Sequence, residues 1–489
     1  MRFILPLCLV ASCLLSGHDS SHAWTPSTPD TAPQGQFISR EIVTYATRYW
    51  ARVAGLDVGE PPHINGHNEF ADAWEKQTLA LLHGLHAVAF RQHVPVPGFA
   101  GAEASHPGTN IIIVVPGSIH PGQAVVVGSH YDGEPTSKGS AYDDTSGSMI
   151  LLALARVMGD TWRSQGLPSR TVEFVLFDAE EQGLVGSLAY TFAGAHGALQ
   201  PTSVVMVDEE QSGIGYPVRP FGLLSEKVLP SYAVTNGFPP PARLGKARTG
   251  NPAALQRLTS RLQAARTRVF KRLNTAYSPV PYRGGTAPAF EAADRGLLRI
   301  GPDPLCCSDN APFQLEGVPT VTFAGEAGYY ASAPPSWSYP FDQPQDTPAA
   351  LACDTGGSPT PGPALQAALD LPLAMSVEII SEYAPPHAGA GVAIISTVPE
   401  RGVATRFAVA GAANPSWSFG DGARARGASV SHTYRRAGTY TVRVSGRSFR
   451  VRVPVSAPSM GFPFGRLNPP PVRPWRPTEL EGISGCAGG

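Results

Sequence analysis

At 489 residues with 42% hydrophobic content, the chain is long enough for a large apolar core and about two or three domains. Its 37 basic and 38 acidic residues leave a net charge of -1. Such a balance supplies no overall field for nucleic acid or an anionic membrane, so partners are expected at a local site.

The one long apolar run follows Arg2, from Phe3 to Leu15, and a polar stretch then ends at Ser21-His22-Ala23. That is the layout of a secretion signal, so residues 1–23 are expected to be removed and the rest to be secreted or extracytoplasmic. Val10-Ala11-Ser12-Cys13 offers an alternative, a lipoprotein box that would leave a lipid anchor at Cys13. No membrane span is expected elsewhere. Cys306, Cys307, Cys353 and Cys486 remain behind the signal, an even number compatible with disulfides in three pairings. Adjacent Cys306 and Cys307 are poor partners for each other, because a disulfide between neighbours needs a distorted peptide.

Residues 24–107 read as helices and connecting segments, with helices over 37–53 and 70–88. Two unbroken apolar runs, 109–117 and 123–128, then suit strands covered on both faces. Helical spacing follows over 146–158, where Ile150, Leu151, Leu154 and Val157 recur. Further strands are expected over 171–177, 203–207 and 320–323, and a last helix over 364–383. Alternation of this kind predicts an α/β, three-layer sandwich with a mostly parallel central sheet. Ligands bind beyond the carboxyl ends of such strands. An insertion over about 211–300 carries a helix from 252 to 273 whose leucines form a stripe and whose arginines form a solvated face.

The catalytic unit is expected to span 24–384, with a linker from Ala384 through Pro385-Pro386. From 388 to 456 the texture becomes alternating and glycine-rich, which predicts a small all-β immunoglobulin-like sandwich. The proline-rich tail, 457–489, is expected to be extended.

Five polar groups interrupt or follow the apolar strands, where a buried charge is costly unless it binds something. They are His130-Tyr-Asp132, Tyr142-Asp-Asp-Thr-Ser-Gly147, Asp178-Ala-Glu-Glu181, Asp208, and Phe341-Asp-Gln-Pro-Gln-Asp-Thr347. One imidazole among carboxylates is a donor set that zinc accepts, and a shared carboxylate can bridge two metals. Of two adjacent glutamates, one can hold a metal while the other accepts a proton from water.

The ordered run His-x-Asp, Asp-Asp-x-Ser-Gly, Glu-Glu-x-Gly-x-x-Gly-Ser, then Asp after a strand resembles the secreted double-zinc aminopeptidases over about residues 35–384. The resemblance implies the zinc exopeptidase fold, two zinc ions and a peptide or protein substrate cut at its amino end. It makes His130, Asp143 and Asp208 ligands of one zinc, Asp143 the bridge, and Glu181 a ligand of the second. Glu180 becomes the general base, Asp132 orients His130, and Asp144 is a hydrogen-bonding neighbour. Two departures stand out. Asp342 occupies a position where the family has a histidine ligand, and Asn310 replaces the histidine of Ser-Asp-His before Pro-Phe. Trp417-Ser-Phe-Gly-Asp-Gly422 and the strands after it resemble the PKD modules, which implies a part that contacts substrate or a surface. The rival readings are a carboxypeptidase or dipeptidase on the same scaffold, a glutaminyl cyclase, and an inactive binding protein.

Overall fold

The computed structural model describes residues 33–50, 64–94, 108–133, 137, 139–181, 183–210, 221–224, 252–277, 280–282, 285–287, 298–301, 308–324, 346–356 and 358–455. The export signal, Cys306, Cys307, Asp342, Cys486 and the proline-rich tail lie outside the described residues. Cys353 is disulfide-bonded.

An eight-stranded sheet is built from β1 (Val88–Val94), β2 (Gly108–Val115), β3 (His120–His130), β5 (Arg170–Phe177), β6 (Thr202–Glu209), β7 (Phe221–Leu224), β10 (Leu298–Gly301) and β11 (Thr320–Ala324). Their order across the sheet is β1-β2-β5-β3-β6-β11-β7-β10. The centre, β5-β3-β6-β11, is parallel throughout, whereas β1–β2, β2–β5 and β11–β7 pair antiparallel. Two short segments complete this part: β4 (Leu167–Pro168) and the β8–β9 hairpin (Val280–Tyr282 with Gly285–Ala287).

One face of the sheet carries Ile111, Ile113, Val125, Val127, Phe174 and Val207, all buried against helices. These are α1 (Gly35–Tyr45), α2 (Ile64–Leu81), α3 (Thr145–Gln165), α5 (Pro252–Tyr277) and α8 (Pro363–Tyr383). The α3 stripe expected from Ile150, Leu151, Leu154 and Val157 is buried, and so are most of its other residues, because neighbouring helices close its outer side. Trp74 of α2 is fully buried and its indole N–H donates to the Ser148 carbonyl at 3.0 Å, joining the two helices. α8 is long and apolar enough to cross a membrane, and it lies buried in this core. Leu258, Leu262, Val269 and Leu273 of α5 are buried, while Arg268 and Arg261 pair with Glu378 and Glu382 of α8 and Arg257 and Lys271 face solvent.

The amino-terminal third departs from the all-helical expectation. α2 stops at Leu81, Gly84 turns the chain at φ +77°, and Val88–Val94 forms an edge strand instead of continuing the helix. From Ala89 to Val94 its burial alternates with a period of two, as a strand with one covered face requires. The flanks of the 211–300 insertion also join the sheet, as β7 and β10.

The sheet's second face, with Ile112, Val114, Val126, Val175 and Phe177, is covered by Tyr190 of α4 (Val185–Ala195) and Phe313 of α6 (Asn310–Leu315). The rest of its cover comes from the carboxyl-terminal β unit. That unit comprises β12 (Pro386–His387), a sheet of β13 (Ala393–Ser396), β14 (Ala404–Ala410) and β17 (Ser429–Thr433), and a sheet of β15 (Ser416–Ser418), β16 (Arg424–Arg426), β18 (Gly438–Val444) and β19 (Arg447–Val453). Ala393, Ile395, Ala408 and Ala410 belong to the same buried cluster as Val114 and Val126. The opposite side of the three-stranded sheet, Ile394, Phe407 and Val409, packs on Trp417, Val442, Val444 and Val451 of the four-stranded one.

The expected linker at 384–386 is therefore a docked segment. Ser169 N–H donates to the Pro385 carbonyl at 2.8 Å, and β12 pairs with β4. Leu199 and Ser396 exchange two hydrogen bonds, of 2.7 and 2.9 Å. A Cβ added at Gly391 would lie 1.8 Å from the Gly117 carbonyl oxygen, so only glycine admits this approach of the two backbones. The remaining helix, α7 (Pro348–Gly356), follows Asp346 and abuts α8.

Candidate metal centre

His130 is the last residue of β3 and is fully buried, at the carboxyl end of the parallel strands where ligands bind. Its Nε2 lies 3.0 Å from Asp143 Oδ1 and 3.8 Å from Glu210 Oε2. Its Nδ1 faces the Asp132 carbonyl at 3.1 Å and Asp132 Oδ1 at 3.4 Å. Asp132 also reaches across to the next strand's loop: Oδ1 accepts Glu180 N–H at 3.0 Å and Oδ2 accepts Glu181 N–H at 3.1 Å. One ligand atom each of His130, Asp143 and Glu210 lies within 4.8 Å of the others, and the same holds for His130, Glu180 and Glu181.

Asp143 is set by the turn before α3, where the Asp143–Asp144 peptide is cis. Asp346, fully buried, accepts the N–H of Tyr142 at 2.9 Å and of Asp143 at 3.2 Å. Asp144 points the other way, caps α3 through Gly147 N–H at 2.9 Å, and accepts the Ser129 hydroxyl at 2.7 Å. The neighbouring role expected for Asp144 matches that geometry. Asp346 belongs to the same 341–347 run as Asp342, and its role is to hold backbone, which leaves no ligand signature in the sequence.

Glu210 was missed. Glu210 directly follows β6, and its N–H still donates to the Phe323 carbonyl of β11 at 3.0 Å, which carries the strand's alternation one residue further. Asp208 and Glu210 thus share a side and Glu209 points away, its carboxylate accepting the Ser376 hydroxyl of α8. Glu210 accepts the Ser308 hydroxyl at 2.5 Å and reaches His130. Asp208 sits deeper: its Oδ2 accepts the Asn310 N–H at 3.0 Å, and it belongs to neither of the two clusters around His130. Asn310 spends its side-chain amide on Thr322. The signal available in the sequence was the acidic triplet 208–210 itself, of which only the first member was read as a ligand.

The electrostatics are those of a cation site. Burial pushes the carboxyls of Asp144, Glu180, Glu210 and Asp309 well above their usual range and Asp208 up to about 7. For each, the opposing positive charge is His130. Burial pulls His130 down, yet Asp132 and Asp143 outweigh it and hold the ring well above its ordinary value. A single imidazolium cannot balance so many acids, whereas a divalent cation can. Ligand atoms on a tetrahedral zinc are about 3.4 Å apart, and the 3.0 and 3.8 Å separations from Nε2 bracket that spacing. The donor set therefore fits the metal.

Residues 110–214 match Peptidase family M28, and residues 385–448 match a PKD domain. Aminopeptidase NAALADL1 of Rattus norvegicus is 34% identical over 88 residues, which are 17% of this chain and 11% of that protein. Aminopeptidase YwaD of Bacillus subtilis (strain 168) is 41% identical over 83 residues, 17% of each chain. The chain thus spans under a fifth of these curated relatives. The crystal structure of LapB from Legionella pneumophila superposes with a TM-score of 0.43 at 17% identity, over 72% of this chain and 74% of that one. The matched segment runs from β2 through β3, α3, β5 and β6, and includes His130, Asp143, Glu180, Glu181 and Glu210 in these elements or directly beside them: within this chain, residues 110–214 are similar to Peptidase family M28 and residues 385–448 to a PKD domain.

Proposed function

We propose that the protein is an exported, zinc-dependent aminopeptidase that hydrolyses amino-terminal residues from peptides. The observation that carries this reading is the convergence of Asp143, Glu210, Glu180 and Glu181 on the buried His130 ring. His130, Asp143 and Glu210 would hold one zinc, and Glu181 a second that shares Asp143. Asp342, from outside the described residues, would complete the second site. Glu210 takes in this proposal the place first expected for Asp208, whose Oδ2 supports the Ser308–Asn310 turn while its Oδ1 is buried with no hydrogen-bond partner among the described residues. A bound zinc pair supplies Lewis acidity to the peptide carbonyl and lowers the pKa of water.

The chain's own residues do the rest. Asp132 fixes the His130 ring through Nδ1, and the same carboxylate holds the backbone of the glutamate pair. Half-buried Glu180, whose carboxyl burial raises, accepts the proton of the attacking water and returns it to the leaving amine nitrogen. A raised pKa suits both halves of that transfer near neutral pH. The surplus of carboxylates offers a wall for a free α-ammonium group, which favours an exopeptidase acting at the amino end. Export rests on the Arg2–Ala23 segment.

The test is hydrolysis of leucyl-, lysyl- and glutamyl-p-nitroanilide beside the same peptides with acetylated amino ends. Release from free amino ends only, abolished by a chelator and restored by zinc, is expected. Cleavage of blocked peptides at their carboxyl ends would establish the carboxypeptidase alternative instead.

A further inference from the structure

The near-zero net charge of the chain hides a segregation. Residues 388–455 contain ten arginines against two acids, Glu400 and Asp421, a net charge of +8 in a chain whose total is -1. The β unit is thus a strongly basic body on an acidic one.

The arginines are also sorted by side. In the four-stranded sheet, Trp417, Val442, Val444, Val451 and Val453 point inward and are buried. The residues between them point outward. The register places Arg424 beside Ser418, Ser418 beside Arg443, and Arg443 beside Ser448 in one row across all four strands. Thr441 beside Arg450, and Thr439 beside Arg452, make the next rows, and Arg426 beside Ser416 extends the other end. All five arginines are exposed. None of them is ion-paired among the described residues. Asp421, at the β15–β16 turn, is already bound to His432 at 2.7 Å and to Ala423 N–H. The outward face therefore alternates guanidinium and hydroxyl groups and contains no acid.

Among the described residues this face is the outermost layer. The three-stranded sheet lies behind it, the eight-stranded sheet behind that, and the helices on the far side. Its occupant is therefore held two β layers from the sheet whose strand ends carry His130, too far to be the peptide bond being cut.

We propose that this sheet face binds a linear acidic polysaccharide through its repeated anionic groups. Guanidinium forks match oxyanions bidentately, and Ser and Thr hydroxyls between them can bond sugar hydroxyls. Single-stranded nucleic acid calls for aromatic platforms, and the aromatic residues of these strands, Trp417, Tyr440 and Phe449, belong to the inner cluster. Insertion into a bilayer calls for outward apolar side chains, and the rows carry none. The inference is independent of the catalytic reading.

The experiment uses the full chain, with biolayer interferometry against immobilised polygalacturonate and heparin, and neutral dextran, single-stranded DNA and anionic phospholipid vesicles as the other probes. Binding to the acidic polysaccharides and not to dextran is expected, weakening as salt rises from about 0.05 to 0.5 M. Arg443→Ser/Arg450→Ser/Arg452→Ser should raise Kd at least about tenfold. Its thermal midpoint should stay that of the parent, and Arg→Lys at the same three positions should fall in between. Lys76→Ser/Arg257→Ser/Lys271→Ser removes three exposed charges elsewhere and should leave Kd unchanged. No polysaccharide binding at low salt, equal losses in both triple variants, or tighter arginine-dependent binding to DNA or vesicles would each overturn the proposal.

Discussion

Asp132 and Glu180 are joined side chain to backbone, Asp132 Oδ1 accepting the Glu180 N–H at 3.0 Å while the same residue faces His130 Nδ1. One carboxylate thereby ties the end of β3 to the loop after β5, the two places that would supply metal ligands and base in the proposed mechanism. Asp132→Ala should lower metal affinity about 10- to 100-fold. It should also depress kcat more than KM, because the glutamate loop loses its anchor. Isothermal titration with zinc and steady-state kinetics read both, and an unchanged zinc affinity would remove the positioning role.

Glu180→Gln separates base from ligand. Metal content should stay at the parent value while kcat falls about 10²- to 10⁴-fold. Full activity in that variant would mean that another group takes the proton.

Glu210 and Asp208 make opposite predictions from adjacent positions on one strand side. Glu210→Ala should cut zinc affinity by about a hundredfold or more, whereas Asp208→Asn should change it less than about threefold. The reverse order would restore Asp208 as the ligand.

Much of this arrangement was legible in the sequence, and the rest was not for identifiable reasons. His130, Asp143 and the glutamate pair were readable because each ends an apolar strand or opens a helix, where period and polarity change together. The reading stopped β6 at Val207, so the strand parity that groups Asp208 with Glu210 and turns Glu209 to α8 went unused. β1 was hidden because its apolar residues continue those of α2 without an obvious breaker other than Gly84. The docking of the β unit was hidden for a different reason. Alanines 393, 408 and 410 look like filler in sequence, and only the facing Val114 and Val126 make them an interface.

That interface predicts a single folding unit. Ile395→Ala should cost about 2–4 kcal/mol, and the full chain should melt in one transition followed alike by tryptophan fluorescence and far-UV circular dichroism. Gly391→Val, which pushes a side chain onto the Gly117 carbonyl, should be more damaging still. Two separate transitions would mean that the β unit is a tethered module after all.

Glu173 supplies a pH test away from the metal centre. It lies on the sheet face toward the β unit, fully buried, with Oε2 accepting the Tyr190 hydroxyl at 2.5 Å. Burial raises its pKa from 4.5 to about 7. The folded state therefore holds the proton that the unfolded state releases above pH 4.5, so stability falls as pH rises from about 4.5 to 7 and stays reduced above. The full penalty is about 3 kcal/mol. Glu173→Gln should be more stable than the parent at pH 8 and little different at pH 4. Equal chemical-denaturation midpoints for the two proteins at pH 8 would contradict this.

The most direct test of the central claim is elemental analysis of the purified full chain and of Asp143→Ala, each dialysed against metal-free buffer. The account predicts two zinc ions per parent chain, with a loss of at least one in the variant and of aminoacyl-anilide hydrolysis with it. A parent protein that holds no zinc and yet hydrolyses the anilides, or an Asp143→Ala variant that keeps its full zinc content, would contradict it.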